Sequence, residues 1–207
     1  MTVASGSASA TSMSALPVLI PAGSEFVRIH GINHGPIWFG PAAGTPPSYR
    51  FDAENGGFGV LYGAQQLEGA FVETLLRRGR RILSRAYVEE RKWSVLQFQR
   101  DVRLLKLYDE GLAWHNVTSD ICTGDDYKIP QAFSTLIHQQ YPDVDGIAYR
   151  ARHDNGQICY ALFDRIAAAS LLTVEGRNFA DEKSVTESLM RRYNASWDPL
   201  MPIPAAP

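Results

Sequence analysis

The chain has 207 residues, 45% of them hydrophobic and 20% charged. That length suits one globular domain, and the composition is too apolar for a wholly disordered chain. Twenty Lys and Arg against 22 Asp and Glu leave a formal net charge of -2, which excludes the basic excess of a general nucleic-acid binder. No apolar run approaches the ~20 residues of a membrane-spanning helix.

Residues 1–24 carry no charged side chain, and Ser, Ala, Thr and Gly dominate their first part. This predicts an unordered N-terminal tail, and without a basic start or a long apolar stretch it is not a secretory signal. Residues 196–207 are Pro-rich and read as a C-terminal tail, so the folded domain is expected over 25–195.

Residues 26–30 read as a first strand, followed by a Gly- and Pro-rich connection over 31–47 that suits neither helix nor central strand. Such a long loop is expected to face a substrate or a partner. Asn55-Gly56-Gly57-Phe58-Gly59 signals a turn, and 60–64 a short strand ended by glycine. Leu67, Ala70, Phe71 and Leu75 carry helical spacing, which predicts a helix over 66–78. Strands are expected over 94–99 and 102–108, separated by Arg100-Asp101. A helix follows over 129–140, with Pro130 in its first turn and Pro142 beyond its end. Paired strands over 146–151 and 158–164 flank Asp154-Asn155-Gly156, a strong hairpin-turn signal. A strand over 171–174 and a helix over 182–193 complete the order. Without a regular βαβ repeat, the pattern predicts an α+β fold, a compact mixed sheet with flanking helices.

The glycines of 56–59 precede a strand rather than a helix, so they fit a turn and no phosphate-binding loop. His30 and His34 stand four apart, yet Gly31, Gly35 and Pro36 rule out the helix that a metal pair needs, and no metal is expected. Cys122 and Cys159 form no CxxC pattern and read as core thiols in a reducing cytosol. The run from Arg77 to Arg103 holds nine Lys and Arg against three Asp and Glu. It forms either a solvated face or a surface for an acidic partner.

Glu73 lies on its helix above Gly69 and Ala70, a concavity that can become a pocket wall. The competing reading is a solvated ion pair with Arg77, four residues on. Tyr62, on the preceding strand, and Arg50, before that strand, can reach the same place. Guanidinium, phenol ring and carboxylate together would suit a ligand with a phosphate, a ring and a hydroxyl or developing cation.

FVRIHG near the start, YRFDAENGGFGVLYGAQQLEGAFVETL in the middle and DGIAYRARHDNGQICYALFDR near the end resemble, in order and spacing, the RES domain, the toxin of a bacterial type II toxin–antitoxin system. The resemblance implies a fold similar to ADP-ribosyltransferases, action in the cytoplasm, and NAD+ as substrate with no resident cofactor. It also implies a cognate Xre-like antitoxin that covers the active site in a hetero-oligomer, with DNA reached only through that partner. Some members are NAD+ phosphorylases or glycohydrolases; at least one lineage ADP-ribosylates phosphoribosyl pyrophosphate synthetase.

By this resemblance the family's strand tyrosine is Tyr62, its helix glutamate Glu73 and its catalytic arginine Arg50. Arg28 matches a second arginine in the first strand. The family serine falls on Ala151, with no Ser or Thr between Tyr141 and Phe163, which leaves its place beside the cleft to another polar group; Asn155 and His153 are the candidates. In cleavage of the nicotinamide–ribose bond, Glu73 would stabilise an oxocarbenium-like ribose. Arg50 and Arg28 would clamp the pyrophosphate and Tyr62 would stack on the nicotinamide ring. The acceptor is phosphate, water or a protein side chain, the last making a mono-ADP-ribosyltransferase. A rival of another class is an inactive RES-like module that only binds antitoxin.

Overall fold

The structure is a computed structural model that describes residues 14–40, 44–77, 79 and 81–200. The strands are β1 (Pro17–Ile20), β2 (Glu25–Gly31), β3 (Val60–Ala64), β4 (Ile82–Leu83), β5 (Arg91–Phe98), β6 (Val102–Leu107), β7 (Gly146–Ala151), β8 (Asp154–Phe163), β9 (Leu171–Asn178) and β10 (Ser196–Trp197). The helices are α1 (Leu67–Thr74), α2 (Arg85–Glu89), α3 (Glu110–Trp114), α4 (Asp120–Thr123), α5 (Lys128–Gln140) and α6 (Lys183–Arg192). Eight strands form one sheet in the order β1-β6-β7-β8-β3-β2-β5-β9. It is antiparallel except at the β6–β7 pair, which makes the expected mixed sheet with flanking helices.

Side chains on a strand alternate between the two faces of the sheet, and the apolar pattern builds a core on each. Along β8, Cys159, Ala161 and Phe163 pack with α1 residues such as Phe71. Ile158, Tyr160 and Leu162 pack with Phe26, Leu96, Phe98 and Leu104 on the other face. Both cysteines are free and buried, and burial pushes the Cys122 thiol up to about 12.

The sheet is split at one seam. β2 pairs with β5 through seven consecutive residues, yet it meets β3 only at Val27 and Ala64. At that closed end Gly63 is required: a Cβ there would lie 2.6 Å from the Phe26 ring. Beyond it the two strands part, and the gap between them is the floor of the main cleft.

Several expectations need correction. The expected N-terminal tail already contains β1, whose Pro17–Ile20 pair antiparallel with β6; residues 1–13 lie outside the described residues. The expected C-terminal tail opens with β10, which pairs parallel with β4, and 201–207 lie outside the described residues. Helix α1 ends at Thr74, four residues early, β5 starts at Arg91 and β9 runs to Asn178. The short elements β4, α2, α3 and α4 had no periodicity to announce them. The hairpin turn is also displaced. Ala151 pairs with Asp154 and Arg150 with Ile158, so Arg152-His153 make the turn, and Asn155-Gly156 lie in an irregularity of β8.

Candidate active site

Where β2 leaves β3, the Tyr62 carbonyl has no strand partner, and Arg28 supplies one: its Nη1 donates to Tyr62 O at 3.2 Å. Arg28 is 8% exposed, and its Nε has no partner among the described residues. Burial lowers its pKa to about 10 against a raising influence from Tyr49. A buried N–H without an acceptor costs free energy until a ligand oxygen meets it.

The second arginine arrives on a loop. Arg50 is buried; its Nη1 donates to Gly124 O at 2.9 Å and Ile121 O at 3.4 Å, fastening the end of α4. Its guanidinium also lies 4.7 Å over the Tyr127 ring. The 48–52 turn that carries it is knotted to β3 by Asp52. Asp52 Oδ2 accepts from the Ser48 and Tyr49 N–H groups at 2.9 and 2.8 Å, and Oδ1 accepts from the Tyr62 hydroxyl at 2.9 Å. The same hydroxyl accepts from Phe51 N–H at 2.9 Å. Burial, then Asp52, holds the Tyr62 phenol well above its ordinary range, so it stays protonated. Tyr62 positions the turn; its ring is tilted against Tyr49 at 5.5 Å.

Glu73, near the end of α1, reaches the same cleft. Its Oε1 accepts from Arg152 N–H at 2.8 Å. Burial raises the carboxyl pKa; the Arg152 hydrogen bond and the charges of Arg50, His153 and Arg77 oppose the rise. The alternative ion pair with Arg77 does not form. Arg77 instead donates to Ser48 O at 3.2 Å and the Tyr127 hydroxyl at 3.3 Å, and stacks 4.5 Å from Tyr49.

The cleft has a volume of about 620 Å³ and is lined by Arg28, Arg50, Tyr62 and Glu73 together. The long 31–47 connection supplies one wall through His34, Trp38 and Phe39. Trp38 is stacked on His34 at 6.0 Å. The glycine cluster is a turn that clamps this wall: a Cβ on Gly59 would collide with the Phe39 carbonyl, and one on Gly56, at φ +68°, would lie 2.9 Å from Gly44 N. His30 is fixed to protein groups, with Nδ1 donating to His34 O at 3.0 Å and Nε2 at 3.0 Å from Ser94 Oγ. No group of three His, Cys, Asp or Glu suited to a metal occurs among the described residues.

Two expectations fail here. Asn155 does not line the cleft; it lies in a separate shallow pocket with Leu107, Cys122 and Thr123, and its carbonyl accepts from Arg150 Nη1 at 2.8 Å. The displaced turn is the cause. Ala151 is fully buried in the core and offers no place beside the cleft. His153 turns to the Arg77 carbonyl, 3.3 Å from Nε2. The sequence did not single out Tyr49, Tyr127 or Arg152 as lining residues.

The RES domain model matches residues 25–182, and the chain belongs to the RES domain family. Among solved structures it is similar to a chain from the crystal structure of the M. tuberculosis MbcT–MbcA toxin–antitoxin complex. The TM-score is 0.61 at 14% identity, covering 84% of this chain and 92% of that one, a likeness of fold. None of the curated proteins compared matches the chain.

Proposed function

We propose that this chain is the toxin of a toxin–antitoxin pair and that its cleft takes NAD+ as substrate, breaks the nicotinamide–ribose bond and passes the ADP-ribosyl group to phosphate or water. Membership of the RES family and the toxin–antitoxin neighbour support the biological role. The observation that carries the chemistry is the half-buried Glu73 carboxylate, held by one backbone N–H and facing a cleft that is otherwise rich in arginine.

Arg28 and Arg50, both lining the cleft, would hold an anionic pyrophosphate, one of whose oxygens would meet the unpartnered Arg28 Nε–H. Two guanidiniums fix the dinucleotide, so that the departing nicotinamide and the ribose keep one geometry. As the C–N bond lengthens, positive charge grows on the ribose, and the low-dielectric Glu73 carboxylate stabilises it more than water would. The bond's electron pair leaves with the nicotinamide nitrogen and neutralises the ring. Tyr62, Asp52 and the 48–52 turn hold Arg50 in place. NAD+ is consumed here and is no resident cofactor.

The partner follows from the same charges. An Xre-like antitoxin covering the cleft would present a carboxylate to the arginines in place of pyrophosphate, and DNA would be reached only through it. Both act in the cytoplasm, where NAD+ is at hand.

The test is incubation of the purified chain with labelled NAD+, with and without phosphate and host lysate, separating free products from labelled protein. Free ADP-ribose or its phosphate ester supports the proposal. Label on a host protein would establish a mono-ADP-ribosyltransferase, and intact NAD+ under all conditions would leave only the antitoxin-binding module.

A further inference from the structure

Five arginines line the cleft among the described residues: Arg28, Arg50, Arg77, Arg91 and Arg152. Four of them donate to backbone carbonyls: Arg28 to Tyr62 O, Arg50 to Gly124 O, Arg77 to Ser48 O and Arg91 to Glu90 O. Arg152 differs, because its Nη2 pairs with a carboxylate, Asp125 Oδ1, at 2.8 Å. The Asp125 side chain is 89% exposed and that of Arg152 26%. A pair so open to water is weakly held, and an incoming anion of higher charge can replace the carboxylate.

The position of Arg152 also matters. Its backbone N–H is the group that holds Glu73 Oε1, at 2.8 Å, so its side chain starts beside the carboxylate that faces the reacting ribose. We propose that the Arg152 guanidinium is the binding site for the acceptor, inorganic phosphate, and that Asp125 occupies this site in the resting protein as an exchangeable internal anion. This rests on the NAD+-cleaving reading above and gives its phosphate acceptor a site.

With phosphate in place of Asp125, one phosphate oxygen forms the new bond to the anomeric carbon of the nicotinamide ribose. The C–N bond breaks, its electron pair leaves with nicotinamide, and the products are nicotinamide and ADP-ribose carrying phosphate on that carbon. A hydrogen phosphate dianion attacks through an unprotonated oxygen, so no base is needed. Water, attacking in its absence, must lose a proton to solvent. Asp125 at rest therefore tilts the enzyme towards hydrolysis, and phosphate tilts it towards phosphorolysis.

The test uses the full chain and two substitutions that break the same ion pair from opposite sides, with NAD+ loss and the ratio of phosphate ester to ADP-ribose followed as phosphate is raised. Asp125→Asn is expected to lower the phosphate KM about threefold and to raise the ratio of phosphate ester to ADP-ribose at low phosphate. Arg152→Gln is expected to raise the phosphate KM about tenfold or more and shift the products towards ADP-ribose, with Arg152→Lys between. If the pair only braced the 119–128 segment, both substitutions would act in the same direction, and that result, or no change in either, overturns the proposal. Absence of NAD+ loss from the unaltered chain would overturn the parent reading instead. Calorimetry with inorganic phosphate alone then still decides the site: tighter binding by Asp125→Asn and weaker by Arg152→Gln support it, and equal binding by all three overturns it.

Discussion

The two sides of the cleft are built by different means. On the strand side, Arg28 and His30 sit on β2, fixed by seven residues of pairing to β5, and Glu73 rides on α1. On the connecting side, Arg50, Arg77 and Tyr127 come from a turn, a helix end and a loop, and they hold one another through carbonyls and ring faces. Arg28 is placed by the sheet and left with an unpartnered Nε. Arg50 is itself a fastener. One arginine awaits a ligand and the other holds the site together, so the same substitution should cost less stability at Arg28 than at Arg50.

The largest effect belongs to the group common to both sides. Glu73→Gln keeps the shape and removes the charge, and NAD+ consumption should fall by roughly 10²–10³ while circular dichroism stays that of the native chain. Full activity in this variant would take Glu73 out of the chemistry. The raised pKa has a further consequence. A carboxyl whose folded pKa lies above its unfolded one adds stability below the unfolded pKa and loses that contribution as pH rises through the folded value. Glu73→Gln should therefore be no less stable than the parent near neutrality, and any gain should vanish on acidification through the carboxylate range. Activity should fall on acidification at a higher pH than an ordinary carboxylate would give.

Next in size is Gly59→Ala, which tests the wall. The added Cβ would collide with the Phe39 carbonyl, so either the 31–47 connection shifts or β3 does. Overpacking against backbone typically costs ~1–3 kcal/mol. The KM for NAD+ should rise more than kcat falls, because the displaced wall carries no reacting group. An unchanged KM would show that the Trp38 wall makes no contact with the substrate.

The arginine pair gives the sharpest form of the comparison. Arg28→Met relieves the desolvation of a buried guanidinium with an unpartnered Nε and loses one bond to the Tyr62 carbonyl, so it should cost less stability than Arg50→Met. Burial already lowers its pKa to about 10, which points the same way. Arg50→Met loses charge-assisted bonds to two carbonyls, each contributing ~1.5–3 kcal/mol, and should be less stable. Both should lose NAD+ affinity. Urea titration of the two variants checks the order, and equal destabilisation would erase the distinction between ligand site and fastener.

Strand-side features were legible in the sequence because they follow from period and motif. The strands read over 26–30 and 60–64 and the helical spacing of Leu67, Ala70, Phe71 and Leu75 placed Arg28, Tyr62 and Glu73. The connecting side depends on partners distant in sequence. Nothing in residues 119–128 announces that Gly124 will receive Arg50, or that Tyr127 will lie between Arg50 and Arg77. The hairpin was misplaced for a related reason. Asp154-Asn155-Gly156 has strong turn chemistry, but cross-strand pairing of Ala151 with Asp154 put the turn at Arg152-His153, and tertiary pairing overrode the local signal. β1 was missed because an uncharged segment of four residues becomes a strand only when β6 offers it an edge.

The smallest expected effect concerns Ala151, which the family resemblance set beside the reacting groups and the structure sets in the core. Ala151→Ser adds one hydroxyl at a position with no exposed surface. If that hydroxyl finds no acceptor the cost is about 1–3 kcal/mol, and if it reaches a carbonyl of the hairpin the cost nearly disappears. In neither case does it face phosphate, so the ratio of phosphate ester to ADP-ribose should stay that of the parent, whereas Asp125→Asn raises it. A product shift in Ala151→Ser with none in Asp125→Asn would place acceptor choice at the end of β7. An unchanged ratio in the first and a raised one in the second would place it one residue further on, at Arg152, where the hairpin meets the connecting side of the cleft.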